Sequence, residues 1–154
     1  METTSNRKLD GSLLIARLAL AIVVAAHGAQ KLFGWFGGYG FEGTVGFFTG
    51  VIGIPYMLAV AIILLESVGM IALVAGVFTR FLSTALIIVM LGAIFTTHLS
   101  NGFFMNWSGT QSGEGYEFHL LVLALSGVLM FNGAGAYSFD NLIFSKNKVS
   151  LKLG

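Results

Sequence analysis

Long apolar stretches separated by short polar segments dominate the pattern of the chain. Its charge-free runs cover 18–30, 43–65, 67–79, 81–113 and 118–139. A helix needs about 20 mainly apolar residues to cross about 30 Å of hydrocarbon. Allowing one embedded charge in each of the first two spans, the pattern predicts four helices, near 12–33, 54–77, 79–99 and 115–134. No alternating pattern indicates a barrel, so the predicted fold is an all-α, four-helix integral membrane bundle in a single domain, 1–154.

Local residues indicate where the helices end. Ser12 is the expected cap of the first helix, Pro55 suits the first turn of the second, and Gly76 lies in a tight turn between the second and third. The stretch 34–53 contains eight glycines and several aromatic residues. It predicts an extracytoplasmic loop that leads into a short interfacial helix. A second loop is predicted over 100–114.

Composition supports a membrane location and limits the chemistry. Charged residues make up 10% of the chain and hydrophobic residues 56%, whereas soluble domains carry about 25% charged residues. A formal net charge of +1 without a basic cluster excludes nucleic-acid binding. The chain has no cysteine, which excludes thiolate metal sites, thiol nucleophiles and dithiol exchange. Redox chemistry would therefore need a cofactor or a partner.

Lysine and arginine residues predict the orientation, because they concentrate on the cytoplasmic side of membrane proteins. One side of the predicted bundle carries six of them, namely Arg7, Lys8, Arg80, Lys146, Lys148 and Lys152. The other side carries Lys31, so both termini are expected in the cytoplasm. A cleaved signal peptide over 1–26 is the alternative, but Arg17 interrupts its apolar region and the hydrophobic run continues past it.

Two residues of opposite charge lie inside the first two predicted helices. At a rise of 1.5 Å per residue, Arg17 and Glu66 differ in depth by about 9 Å, which two long side chains can bridge. One interpretation is a structural ion pair that fixes how the two helices pack. The other is that Glu66 is a proton-accepting or substrate-contacting carboxylate, because ionisable residues inside membranes usually serve a function.

All three histidines are predicted near the outer face. His27 and Lys31 lie on the first helix, His98 ends the third, and Glu117 and His119 begin the fourth. These residues suit a quinone pocket with Lys31 and Glu117 handling protons, a metal or haem site, or a purely structural interface. No spacing typical of a metal motif accompanies them. Glu117 and His119 lie about 200° apart around a helix, so both cannot face the bundle unless the helix starts late.

Seven motifs, in order, resemble the DoxX family of bacterial inner-membrane proteins over about 13–142. They are RLAL (17–20), HGAQKLFG (27–34), LESVG (65–69), FTRF (78–81), THLSNGFF (97–104), GYEF (115–118) and GAGAYSFD (133–140). The resemblance implies a four-helix protein of the bacterial inner membrane. By position, the resemblance also implies that the polar residues typical of the family are, in this chain, Arg17, His27, Lys31, Glu66, Arg80, His98 and Glu117. His119 is less characteristic, which favours Glu117 as the pocket-facing member of that pair.

The resemblance also implies a link to quinone chemistry, because the family is named after a subunit associated with a thiosulfate:quinone oxidoreductase. The first hypothesis is therefore a membrane subunit or accessory component of a quinone-linked oxidoreductase system. The candidate catalytic residues are Glu66, His98 and Glu117. The candidate cofactor-binding residues are Arg17, His27, Lys31 and His119. Quinone is the expected ligand, with haem or a metal as the alternative.

The second hypothesis is a non-enzymatic membrane scaffold or assembly factor. Of the 20 aromatic residues, 14 fall on the predicted outer side, which suggests a cap that folds over the bundle and binds a partner. The expected partners are the lipid bilayer, quinone or a redox partner protein, and further copies of the chain.

Overall fold

A computed structural model of the protein describes residues 4–143, which form helices and loops without any β-strand. The helices are α1 (Thr4–Phe33), α2 (Gly40–Gly50), α3 (Tyr56–Ala75), α4 (Thr79–Asn101) and α5 (Glu117–Asn132). Within the described residues, α1, α3 and α4 are long and apolar enough to cross a membrane, and α5 is a shorter apolar helix. The all-α prediction is confirmed. Lys146, Lys148 and Lys152, on which the predicted orientation partly rests, lie outside the described residues.

The helix ends match some of the local predictions. Pro55 directly precedes α3, and Gly76 ends that helix in a left-handed conformation with φ of 71°. Ser12 is not a helix cap, because α1 already begins at Thr4 and the Ser12 hydroxyl donates to the carbonyl of Lys8 within the helix, at 3.0 Å. The glycine-rich stretch forms a loop and then α2, which begins at Gly40.

The core lies between the long helices, with α1 in contact with α2, α3 and α5, and α4 packed along α5. Fully buried side chains from these helices meet there, including Leu20, Met70, Leu73, Leu86 and Leu129. The outward faces are also apolar, for example Ile22, Ile71 and Phe81 at 65%, 69% and 70% exposure. Helices that are hydrophobic all round are typical of membrane spans, whose outer surface contacts lipid.

Two of the long helices contain a single π-helical turn. In α3 it covers Leu65–Gly69, and in α4 it covers Ile94–His98. A π turn adds one residue to the helical repeat and shifts the side chains that follow, and such turns are frequent at functional sites. Glu66 and His98 each lie in one of these turns, so the same local distortion positions both candidates.

The bundle has two ends, which we name by what they contain. The loop end holds the end of α1, the helix α2 and the segment 102–116. The terminal end holds the start of α1, the turn 76–78 and the segment 133–143. At the terminal end the Asp140 carboxylate accepts hydrogen bonds from the backbone amides of Phe78 and Thr79, both at 2.9 Å. A carboxylate at this position stabilises the start of α4.

Candidate functional site

A cavity of about 630 Å³ lies at the loop end, with walls from all five helices. Its volume falls within the range of about 300 to 1,000 Å³ that is typical of small-molecule sites. Five of the seven candidate residues line it: His27, Lys31, Glu66, His98 and His119. The rest of the wall is mainly apolar, including Val24, Phe47, Ile62 and Phe118. The structure therefore places a polar cluster in an otherwise hydrophobic pocket.

Lys31 and Glu66 form an ion pair in the cavity wall, with the Lys31 ammonium donating to Glu66 Oε2. The side chain of Glu66 is 3% exposed and that of Lys31 is 28% exposed. Pairing neutralises two charges that would be costly to bury separately. The π turn in α3 and the last turns of α1 bring the two residues together.

Gly28 allows α1 to approach the π turn that carries Glu66. A Cβ atom at Gly28 would collide with the backbone carbonyl of Glu66 and lie 2.7 Å from the backbone nitrogen of Ser67. Small residues let membrane helices pack closely, and here the close approach sets the register between Lys31 and Glu66. Sequence reasoning did not single out Gly28, although it lies one helical turn before Lys31 in the HGAQK motif.

The histidines surround the same cavity with different partners. The rings of His98 and His119 have centroids 4.2 Å apart, and the ring of His27 lies 5.1 Å from that of Phe118. His98 Nδ1 lies 2.8 Å from the carbonyl oxygen of Glu114. Because a carbonyl only accepts, His98 Nδ1 carries the proton in this contact.

His119 is the histidine with a vacant hydrogen-bonding position. Its side chain is buried at 7% exposure, and its Nδ1 has no hydrogen-bond partner among the described residues. Buried polar atoms almost always have a partner. The ring lines the cavity, whereas Nδ1 itself is enclosed by protein atoms, so a ligand reaches this nitrogen only when the neighbouring side chains move.

Glu117 does not line the cavity, so the expectation that it rather than His119 faces the pocket is wrong. The Glu117 Oε1 atom accepts hydrogen bonds from the backbone amide of Met105, at 2.8 Å, and from Trp107 Nε1, at 3.1 Å. At the first position of α5, its side chain turns back over the loop instead of into the bundle. Its contacts hold the segment 102–116 against the loop end.

Arg17 does not pair with Glu66, so the predicted ion pair between them is wrong. Its side chain is buried at the terminal end, where Nη1 donates to the carbonyl of Ala134 at 2.7 Å and Nη2 to that of Tyr137 at 2.6 Å. The residue of α3 beside it is Gly76, where a Cβ would lie 2.7 Å from Arg17 Nη1. The antiparallel register of α1 and α3 therefore separates Arg17 from the middle of α3.

The residues present do not match a metal centre. Between residues 4 and 143, no three His, Asp or Glu side chains come together as potential ligands. Protein metal sites usually need three or four such ligands. The cavity instead offers single hydrogen-bonding groups on an apolar wall, which suits an organic molecule with a few polar atoms.

Comparisons with known proteins agree with the membrane character of the fold. The family model DoxX matches residues 12–99. A Bacillus subtilis protein named "Putative oxidoreductase CatD" is 29% identical over 143 residues, which cover 93% of this chain and 95% of that protein. A Haemophilus influenzae protein named "Uncharacterized protein" is 33% identical over 137 residues, covering 87% of this chain and 92% of that protein. No solved structure gives a significant match.

Proposed function

The chain belongs to the DoxX family of membrane proteins, and from this premise we propose that it is a membrane subunit or accessory component of a quinone-linked oxidoreductase system. The observation that carries the proposal is the cavity, where the Lys31–Glu66 pair and the His119 ring lie in an otherwise apolar wall. A relative that carries the name of an oxidoreductase supports the same reading. The ligand that fits this lining is a quinone head group.

Each polar residue has a role in this proposal. The His119 ring donates a hydrogen bond to a carbonyl oxygen of the head group, and His98 and His27 flank it. The Lys31–Glu66 pair holds a proton within reach of the cavity. Proton uptake and release therefore need no further ionisable residue in the cavity wall. When bound, quinone supplies a two-electron, two-proton couple. The chain has no cysteine and so no dithiol that could reduce the quinone, and the two electrons therefore come from a redox partner protein or a reduced substrate.

We further propose a four-helix transmembrane bundle in the bacterial inner membrane, with α5 as the fourth span. Both termini lie in the cytoplasm, and the cavity lies in the extracytoplasmic half. Support comes from Arg7, Lys8 and Arg80 near the terminal end, since basic residues favour the cytoplasmic side. Because the chain lacks cysteine, single cysteines at Ser12 and Thr110 allow a clean test. A membrane-impermeant maleimide should label Thr110→Cys and not Ser12→Cys in intact spheroplasts, and the reverse pattern would overturn the orientation.

Quinone binding to purified protein in lipid nanodiscs tests the function. His119→Leu removes the ring's hydrogen-bonding groups and should weaken binding by about tenfold, as expected for a lost hydrogen bond of roughly 1.5 kcal/mol. Glu66→Gln should reduce quinone turnover in the native membrane while the protein remains present. Ser126→Ala is the matched control, because Ser126 is buried in α5 and does not line the cavity. Wild-type protein that neither retains nor binds quinone would contradict the proposal.

A scaffold or assembly role is the second candidate function. It is favoured by the exposed aromatic side chains at the loop end, among them Phe36, Tyr39 and Trp107 at 74%, 85% and 86% exposure. Aromatic residues are enriched in protein interfaces. Under this reading, cross-linking in native membranes captures one reproducible partner. Phe36→Ala with Trp107→Ala abolishes its capture while quinone binding is unchanged, because neither residue lines the cavity.

A further inference from the structure

One side of the cavity is lined by residues of α3 and α4. Leu58, Ile62 and Glu66 follow each other at four-residue intervals along α3, and all three line the cavity. On α4 the lining residues Ile88, Gly92 and Thr96 have the same spacing. Residues four apart lie on one helix face, so each helix contributes a stripe to the cavity wall, and the stripe on α3 ends at the ion-paired carboxylate.

Apolar residues of both stripes line the cavity and are also exposed, which indicates that the cavity opens between α3 and α4 at an apolar rim. Leu58 is 49% exposed and Ile88 is 66% exposed. The Thr96 hydroxyl donates to the carbonyl of Gly92 at 2.8 Å, so its one donor is used within α4. Both helices are long and apolar enough to cross a membrane. The surroundings of the rim are therefore acyl chains.

Gly92 is the residue of the rim whose identity needs an explanation. Glycine in the middle of a helix is destabilising relative to alanine, and Gly92 has neither a positive φ nor a close neighbour that would require it. A Cβ built at Gly92 meets nothing within 4 Å. The missing side chain thus leaves open space in the stripe of α4 that lines the cavity.

We propose that this opening is a lateral portal for the apolar tail of a ligand dissolved in the bilayer, and that Gly92 sets its width. The inference rests on the proposed function, because the head group of that ligand would occupy the polar part of the cavity. The ligand class is an amphipathic lipid with a compact polar head and a long apolar tail. An isoprenoid quinone and a phospholipid acyl chain share this tail chemistry.

A pair of ligands that differ in the tail tests the portal. Menaquinone carries a long isoprenoid tail, and menadione has the same ring without it. Gly92→Phe fills the rim and should weaken menaquinone binding by about tenfold or more, since buried methylene groups contribute strongly to affinity. Menadione binding should remain within about twofold of the wild type, because the polar part of the cavity is unchanged.

Gly127→Phe is the matched control, because Gly127 lies in α5, has open space around its Cβ position and does not line the cavity. Gly92→Leu serves as a second, smaller obstruction, with gel filtration and thermal unfolding to verify folding of each variant. Menaquinone binding unchanged in both folded Gly92 variants would overturn the portal, as would equal loss of menaquinone and menadione. Wild-type protein that binds neither compound would instead overturn the proposed function.

The source of the tail is distinguished by mass spectrometry of lipids that copurify in mild detergent. A quinone present in wild type and in Gly127→Phe, but depleted in Gly92→Phe, supports the portal with quinone as its ligand. A phospholipid with this same pattern supports the portal and assigns the tail to an acyl chain. Equal lipid retention by all three proteins would count against a portal at Gly92.

Discussion

Lys31 of α1 and Glu66 of α3 form an ion pair in the wall of the cavity, where Glu66 is almost fully buried. The pair joins the last part of α1 to the π turn of α3. A charge alone in a membrane interior is costly, whereas a hydrogen-bonded pair is tolerated. The relationship therefore serves two purposes: it stabilises the packing of two helices, and it keeps an ionisable group next to the cavity.

Removal of one member of this pair should be more harmful than removal of both. Lys31→Met leaves the Glu66 carboxylate buried without its partner and should lower the free energy of unfolding by about 3 kcal/mol. The double variant Lys31→Met/Glu66→Gln has no unpaired charge and should recover much of that loss. Unfolding by detergent titration measures the stability of the wild type, the single variant and the double variant. A double variant less stable than Lys31→Met would show that the pair is not the source of the effect.

Gly28 should tolerate no side chain. Gly28→Ala places a Cβ against the backbone of Glu66 and Ser67, and relief of that overlap requires α1 and α3 to separate, at a cost of about 1–3 kcal/mol. Gly11→Ala is the matched control on the same helix, because a Cβ there meets nothing within 4 Å. It should raise stability by about 0.5–1 kcal/mol through helix propensity. Thermal unfolding compares the two, and equal effects would refute the role of close approach.

The contrast between Arg17 and Lys31 shows how far sequence reasoning extends. The apolar runs between charges predicted four membrane helices, and three of them are long apolar helices in the described residues. Hydropathy succeeds this far because it acts locally and needs no tertiary information. The partner of Glu66 depends on the register of α1 against α3, which Gly28 and the π turn set through tertiary contacts. The prediction that Arg17 and Glu66 lie within reach of each other assumed a regular rise per residue. That assumption could not include the close approach at Gly28 or the π turn.

The same limit applies to Glu117 and His119. The helical repeat correctly indicated that they point in different directions, but it did not indicate which of them faces the cavity. That choice depends on the loop over 102–116. In this loop the backbone amide of Met105 and Trp107 Nε1 both donate hydrogen bonds to the Glu117 carboxylate. A loop without periodicity gives no signal for such contacts in a single sequence.

We expect Glu117 to hold the loop over 102–116 in place and not to transfer protons. Glu117→Ala removes the acceptor of the Met105 amide and should accelerate hydrogen exchange at that amide by about tenfold, equivalent to roughly 1.4 kcal/mol. Glu117→Gln retains an acceptor oxygen at the same position and should change exchange much less. Quinone binding in both variants checks the alternative. If Glu117→Gln abolished quinone turnover and left Met105 exchange unaltered, Glu117 would be a proton-handling residue after all.

Arg17 should stabilise the terminal end without taking part in ligand binding. Its two hydrogen bonds to Ala134 and Tyr137 tie α1 to the segment that follows α5. Arg17→Met leaves both carbonyls without this donor, and loss of two charge-assisted bonds should lower the free energy of unfolding by about 3 kcal/mol. Arg80→Met removes the same charge at the same end from an exposed position and should change stability by less than about 0.5 kcal/mol.

Ligand binding separates this structural role from the predicted cofactor-binding role of Arg17. Because Arg17 does not line the cavity, the folded fraction of Arg17→Met should bind menaquinone with the affinity of the wild type. Limited proteolysis should meanwhile cut the segment 133–143 faster in Arg17→Met than in Arg80→Met, since the segment has lost its attachment to α1. A folded Arg17→Met protein with intact protease resistance but weakened quinone binding would reverse the assignment, because it would mean that the charge acts on the cavity at a distance.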